Sequence, residues 1–124
     1  MNWTTLVAAE ELVTQLDAPT LRLVDARFVL ASGDAGTGER AWRIAHLPGA
    51  GYAHLDRELS DHRKPASEGR HPLPDADAFC TTLERLGITP ESQVVVYDAA
   101  DGAMAAARLW WLLKLLGQDR KSVV

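Results

Sequence analysis

The sequence is poor in cysteine, because Cys80 is the only one among 124 residues. One thiol cannot form an internal disulfide, so a small scaffold held together by disulfides is excluded. The first residues, MNWTT, show neither the basic segment nor the apolar segment of a signal peptide. We therefore expect the protein to reside in the reducing cytoplasm.

The sequence also lacks long apolar runs and an excess of positive charge. Its longest apolar stretch, 103–116, contains Arg108 and Lys114 and is too short and too charged to cross a bilayer. Thirteen Lys and Arg stand against seventeen Asp and Glu, which gives a formal net charge of −4 and an isoelectric point near 5.5. A strongly basic nucleic-acid-binding protein is excluded, and neither a nucleic acid nor a membrane is expected as a partner.

The remaining composition is that of an ordinary globular protein. Hydrophobic residues make up 47% and charged residues 24% of the chain, which excludes a disordered chain. The length suits one domain, 1–124, that buries roughly two-thirds of its surface on folding.

Strand and helix patterns alternate along the chain and predict an α/β fold with a mainly parallel sheet. The clearest strands are Leu21–Asp25 and Gln93–Tyr97, and the continuous apolar run of the second is typical of a parallel strand covered on both faces. Short strands are also expected at 5–7, 50–53 and 121–124, and one or two helical turns at 41–46. Three helices are expected: one within 6–16, one that begins at Asp75 or Asp77 and ends at residue 86, and one over 103–116.

Two segments are expected to be loops. Residues 31–39 contain three glycines and are predicted to form a mobile loop. Residues 56–74 are polar, contain three prolines and are predicted to form a long surface excursion. Loops of that length in compact domains are usually functional or mobile.

The most informative candidate site follows the second strong strand. The loop consists of Asp98, Ala99, Ala100, Asp101 and Gly102, and it leads directly into the predicted helix 103–116. Such a loop directs backbone N–H groups to one point and can cradle an anion. Loops of this shape are common in α/β folds, so Asp98 could equally serve only to cap the helix.

Several motifs resemble the amino-terminal domain of tandem rhodaneses, the thiosulfate and 3-mercaptopyruvate sulfurtransferases. The likeness covers nearly the whole chain in the same order, although Trp42 stands where the family more often has Tyr or Phe. The motifs are VDAR (24–27), RIAHLPGA (43–50), LD (55–56), LSD (59–61), LGI (86–88), VVVYD (94–98) and ARLWWL (107–112).

The resemblance implies a rhodanese-like fold with helices on both faces of the sheet. In a catalytic rhodanese domain a cysteine stands at the position of Asp98, and its thiolate carries sulfur as a persulfide to a thiophilic acceptor. Asp98 cannot do this, so the resemblance implies the non-catalytic half and no catalytic residue is transferred. We expect the Asp98 carboxylate to fill the space of a substrate anion, and Arg27 to form a surface salt bridge.

The resemblance also implies partners and an extent for the chain. The partner is the carboxy-terminal catalytic rhodanese domain, and the whole protein acts on small sulfur-containing anions without a cofactor. Because the family domain continues with a strand and a helix, residues 1–124 are expected to be incomplete, with the last strand and the final helix missing.

The remaining reactive side chains predict no further site. Cys80 lies within a predicted helix and is expected to be inert. His46, His54, His62 and His71 are eight, eight and nine residues apart, which matches no compact metal-binding pattern. His62 and His71 are expected to be solvated, His46 to bond carbonyls at a helix end, and no metal is predicted.

Two other functions are considered for the loop that begins at Asp98. The chain could be a stand-alone inactive rhodanese-like binding module that docks a partner or an anion. Alternatively, Asp98 with Asp101 could accept a phosphoryl group beside Mg²⁺. That chemistry needs further carboxylates and a lysine at other strand ends, and the sequence shows no clear set.

Overall fold

A computed structural model describes residues 1–124, apart from the side chain of Ser32. Four strands and four helices alternate along it, with two short 3-10 helices between them. In chain order these are α1 (Ala9–Val13), β1 (Leu21–Asp25), the 3-10 helix Leu30–Ser32, α2 (Thr37–Ile44), β2 (Gly51–Tyr52), the 3-10 helix Ala66–Glu68, α3 (Ala76–Arg85), β3 (Gln93–Tyr97), α4 (Ala105–Leu116) and β4 (Lys121–Val123).

The strands form one parallel sheet in the order β2-β1-β3-β4. The central pair, β1 and β3, is in register from Leu21 opposite Gln93 to Asp25 opposite Tyr97. The Val7 N–H donates to the Val123 carbonyl, and the Val123 N–H donates to the Thr5 carbonyl. The predicted strand at 5–7 is therefore a single parallel bridge between Leu6 and Val123. The predicted parallel α/β fold and the bounds of β1 and β3 are confirmed.

The apolar side chains form two clusters, one on each face of the sheet. Alternation along β3 places Val94 and Val96 in one cluster and Val95 in the other. Helices α3 and α4 contribute to the first cluster, whereas Leu12 of α1 belongs to the second. Helices therefore cover both faces of the sheet. The apolar run of β3 is continuous because, as predicted, the strand is buried on both faces.

Several of the predicted elements have different bounds in the structure, including β2, which is Gly51–Tyr52 and not 50–53. Helix α2 begins at Thr37, four residues before the expected helical turns, so the loop prediction is wrong for 37–39. Helix α4 begins at Ala105 and not at residue 103. It ends before Gly117, whose φ of 92° places it in the left-handed conformation that glycine favours.

The segment 56–74 is more than a surface excursion. Leu59 is fully buried in the core, and Ser60 and Asp61 are also buried. The Asp61 N–H donates to the Pro72 carbonyl at 2.8 Å, which closes the segment on itself. Across the described residues, the helices are all too short or too polar to cross a membrane.

Gly38 allows α2 to pack against the segment that follows β1. A β-carbon at this position would overlap the backbone carbonyl of Arg27, whereas one at Gly36 would meet only the side chains of Arg40 and Asp34. Overpacking against rigid groups costs about 1–3 kcal/mol. We predict that Gly38→Ala lowers the free energy of unfolding by about 2 kcal/mol or more in urea titration.

The matched control for that variant is Gly36→Ala, which should change stability by less than about 0.5 kcal/mol because the exposed Arg40 side chain can move. Equal stability of the two variants would show that α2 does not depend on the close contact at Gly38.

Candidate functional site at the carboxyl ends of the strands

The loop after β3 wraps its backbone around the carboxylate of Asp98. One oxygen, Oδ1, accepts hydrogen bonds from the N–H groups of Ala100 at 2.9 Å and Gly102 at 3.1 Å. The other, Oδ2, accepts one from the Ala106 N–H at 3.0 Å. The side chain at the strand end therefore occupies the point at which these three N–H groups converge.

The same hydrogen bonds make Asp98 the cap of α4. Met104, which precedes the helix, provides no side-chain cap, so the N–H of Ala106 in the first turn bonds a carboxylate from eight residues earlier. A negative charge at a helix N-terminus is stabilising because free N–H groups point toward it. Asp101 makes only a local bond from the exposed Ala103 N–H at 3.0 Å. The use of 98–102 in binding stays a prediction.

A mostly apolar cleft of about 360 Å³ lies beside this loop. Phe28 follows β1 and Asp98 follows β3, so the cleft is at the carboxyl ends of the two central strands. Parallel α/β sheets bind ligands at this place. The side chains that define its walls are Phe28, Leu55, His71, Asp98, Met104 and Arg108.

Arg108 of α4 fastens segment 56–74 to the wall of the cleft. Its Nε donates to the Leu59 carbonyl at 2.9 Å and its Nη2 to the His71 carbonyl at 2.7 Å. Burial lowers the pKa of Arg108, while these carbonyls accept hydrogen bonds from two of its guanidinium nitrogens. Arg108 belongs to the motif ARLWWL, but the motif does not indicate this bridging role. The bonds join residues more than 35 positions apart, so they leave no local signal in the sequence.

Arg27 forms the expected salt bridge, but the prediction of a surface pair is wrong. Its partner Asp25 is fully buried at the end of β1, and Arg27 donates to it from both its backbone N–H and its Nε. The hydrogen bond to Asp25 raises the pKa of Arg27. Burial raises the pKa of the neighbouring Tyr52 and Tyr97 to about 12, so both phenols stay protonated at neutral pH.

His46 and His54 have structural roles. His46 is exposed, stacks on Trp42 and bonds the Trp42 carbonyl through Nδ1 at 2.7 Å, as expected for a helix end. His54 is buried, and its Nδ1 accepts from the Asp56 N–H at 3.1 Å. Its Nε2 therefore carries the proton that bonds the Ala35 carbonyl.

The structure brings His62 and His71 together with Asp56, although the sequence spacing of the two histidines matches no compact metal-binding pattern. Their rings meet edge to face with centroids 5.4 Å apart. His71 is half-buried and not solvated as expected. Burial, followed by the nearby His62, lowers the pKa of His71. The absence of a bound metal stays a prediction.

Cys80 is exposed on α3, in the middle of the helix. Reactive thiols require a helix N-terminus or positive groups that lower the thiol pKa. Cys80 is not among the residues that line the cleft. It therefore does not supply the loop after β3 with a thiol.

Comparison with known proteins settles the family of this fold and loop. The family described as "Rhodanese-like domain" matches residues 8–124. The chain belongs to the rhodanese-like domain family. It is 42% identical over 118 residues to the "Probable 3-mercaptopyruvate sulfurtransferase" of Pseudomonas aeruginosa, covering 95% of this chain and 40% of that protein. It is 33% identical to the human 3-mercaptopyruvate sulfurtransferase, covering 96% and 40%.

A solved rhodanese-family structure has the same fold. The 3-mercaptopyruvate sulfurtransferase from Leishmania major superposes with a TM-score of 0.84 at 31% identity, covering 98% of this chain and 32% of that one. The chain thus spans about two-fifths of the length of the curated relatives it matches. These comparisons show a rhodanese fold, and the relatives that share it are named as sulfurtransferases.

The Asp98 carboxylate occupies the centre of the loop after β3, and its hydrogen bonds should also stabilise the domain. Asp98→Ala leaves the N–H groups of Gly102 and Ala106 without their acceptor, and both residues are buried. An unsatisfied buried donor costs about 1–3 kcal/mol. We predict that this variant loses about that much free energy of unfolding in urea titration.

Asp101→Ala is the matched control in the same loop, because Asp101 is exposed and accepts from one exposed N–H. It should change stability by less than about 0.5 kcal/mol. An Asp98→Ala variant as stable as the unaltered chain would contradict the capping role of Asp98.

Proposed function

We propose that residues 1–124 are the non-catalytic rhodanese domain of a longer sulfurtransferase whose second rhodanese domain carries the catalytic cysteine. The observation that carries this proposal is the Asp98 carboxylate inside the loop after β3. A carboxylate has no sulfur atom with which to form a persulfide. Its negative charge also opposes the binding of an anionic sulfur donor at the same N–H groups.

The single thiol of the chain does not replace the missing cysteine. Cys80 is the only cysteine in the sequence, and it is exposed on the side of α3. In the proposed mechanism the persulfide therefore forms on a cysteine of the second domain. That domain takes sulfur from 3-mercaptopyruvate or thiosulfate and passes it to a thiophilic acceptor.

The comparisons support a longer protein with this activity. Curated relatives are named for 3-mercaptopyruvate and for thiosulfate, and the chain spans about two-fifths of their length. The remaining three-fifths leave room for a second domain of the same size. We place the catalytic domain in that part.

The surface beside the cleft supports its use as one wall of an interdomain site. Trp111 and Leu115 lie one helical turn apart on α4, and Met104 immediately precedes the helix. The three side chains are 41%, 58% and 56% exposed, respectively. Leu30, which also lines the cleft, is 49% exposed. Exposed apolar side chains grouped in this way mark interaction surfaces, and we assign the second domain as their cover. We place the protein in the cytoplasm.

The activity test compares the chain with the whole protein that contains it. Thiocyanate formed from thiosulfate and cyanide, and pyruvate released from 3-mercaptopyruvate, report sulfur transfer. We expect residues 1–124 to show no turnover above that of their Cys80→Ser variant, and the whole protein to be active. Turnover by the chain alone that disappears in Cys80→Ser would contradict the proposal.

The interdomain wall is tested by Met104→Glu in the whole protein. A carboxylate placed in a covered apolar surface without a partner costs more than about 1.4 kcal/mol, so turnover should fall at least tenfold. Val13→Glu is the control, since Val13 is 62% exposed on α1 and does not line the cleft. Equal turnover of the two variants would show that α4 does not face the catalytic domain.

A further inference from the structure

We propose that Asp56, His62 and His71 form a binding site for one divalent transition-metal ion of the Zn²⁺ type. Each residue offers one ligand atom, and the three atoms lie within 4.8 Å of one another. The site is a property of this chain's own residues and is independent of the proposed function. Three observations support it: the distances between the ligand atoms, a ring nitrogen of His71 without a hydrogen-bond partner among the described residues, and the hydrogen bonds that hold segment 56–74 in place.

The distances within the cluster are close to those of a tetrahedral site. His62 Nε2 lies 3.0 Å and His71 Nδ1 lies 3.8 Å from Asp56 Oδ1. Zinc bonds of roughly 2.0–2.1 Å separate neighbouring tetrahedral ligands by about 3.3–3.4 Å. These two distances lie on either side of that value, and all three ligand atoms lie within 4.8 Å of one another.

The Nδ1 atom of His71 is a buried polar atom without a hydrogen-bond partner among the described residues. Asp56 Oδ1 is its neighbour, but at 3.8 Å it is beyond hydrogen-bond distance. A bound water or ion is one physical explanation of a buried polar atom without a partner. A metal ion between the two atoms would satisfy the nitrogen and neutralise the carboxylate.

The backbone holds the three ligands in place before any ion binds. The bond from the Asp61 N–H to the Pro72 carbonyl joins the two ends of the loop that separates them, and His62 and His71 lie just inside that closure. Arg108 fixes the His71 carbonyl from α4. The buried His54 ring bonds the Asp56 N–H. Such preorganisation reduces the ordering that metal binding would otherwise require.

The donor set selects the class of metal. Two imidazoles and one carboxylate suit Zn²⁺ and its transition-metal neighbours, whereas Mg²⁺ and Ca²⁺ prefer oxygen ligands alone. The cluster opens onto a second cavity of about 390 Å³, which it shares with Arg70. The three protein ligands therefore leave a fourth position that a water or an anion can reach from this cavity.

The test is titration of the tag-free chain with Zn²⁺ by calorimetry, and with Co²⁺ by visible absorption. We expect one ion per chain and no heat with Mg²⁺. Since loss of even an outer-shell partner lowers metal affinity 10–100-fold, His62→Gln, His71→Gln and Asp56→Asn should each weaken binding at least tenfold. His62 is exposed, so its variant should retain the fold, which circular dichroism checks.

Two controls separate this site from other ligands on the chain. His46→Gln removes a histidine outside the cluster, and Cys80→Ser removes the exposed thiol. Both should leave the affinity unchanged. Absence of Zn²⁺ binding, binding that survives the loss of both clustered histidines, or binding lost in either control would overturn the proposal.

Discussion

The parallel pairing of β1 with β3 is the constraint on which the other parts of the molecule depend. Five consecutive residue pairs lock the two strands in register, from Leu21 with Gln93 to Asp25 with Tyr97. Their carboxyl ends therefore meet, and the chain leaving each strand forms one side of the cleft. A shift by one residue would exchange the two apolar faces of β3 and bury different side chains.

Much of the fold could be predicted because its signals are local. The apolar run of β3 identifies a strand covered on both faces, and Gly117 marks the end of α4. Segment 56–74 could not be predicted in the same way. Its polar composition indicates a surface loop, but Leu59 enters the core and Arg108 bonds its backbone from α4. Bonds between distant residues leave no periodic pattern in the sequence.

The candidate site also has one part that local sequence indicates and one part that depends on contacts between distant residues. The three N–H groups around Asp98 lie within eight residues of it, so a loop between a strand and a helix suffices to indicate them. The cluster of Asp56, His62 and His71 depends on a closure between Asp61 and Pro72. Sequence spacing alone does not indicate this cluster, because the spacing does not contain the path of the loop.

The central claim is that the Asp98 carboxylate occupies the anion position of this rhodanese domain. Backbone amide chemical shifts, recorded while thiosulfate is added, test it most directly. We predict that the amide resonances of Ala100, Gly102 and Ala106 do not shift in the unaltered chain and shift saturably in Asp98→Ser. Saturable shifts of these three amides in the unaltered chain would contradict it.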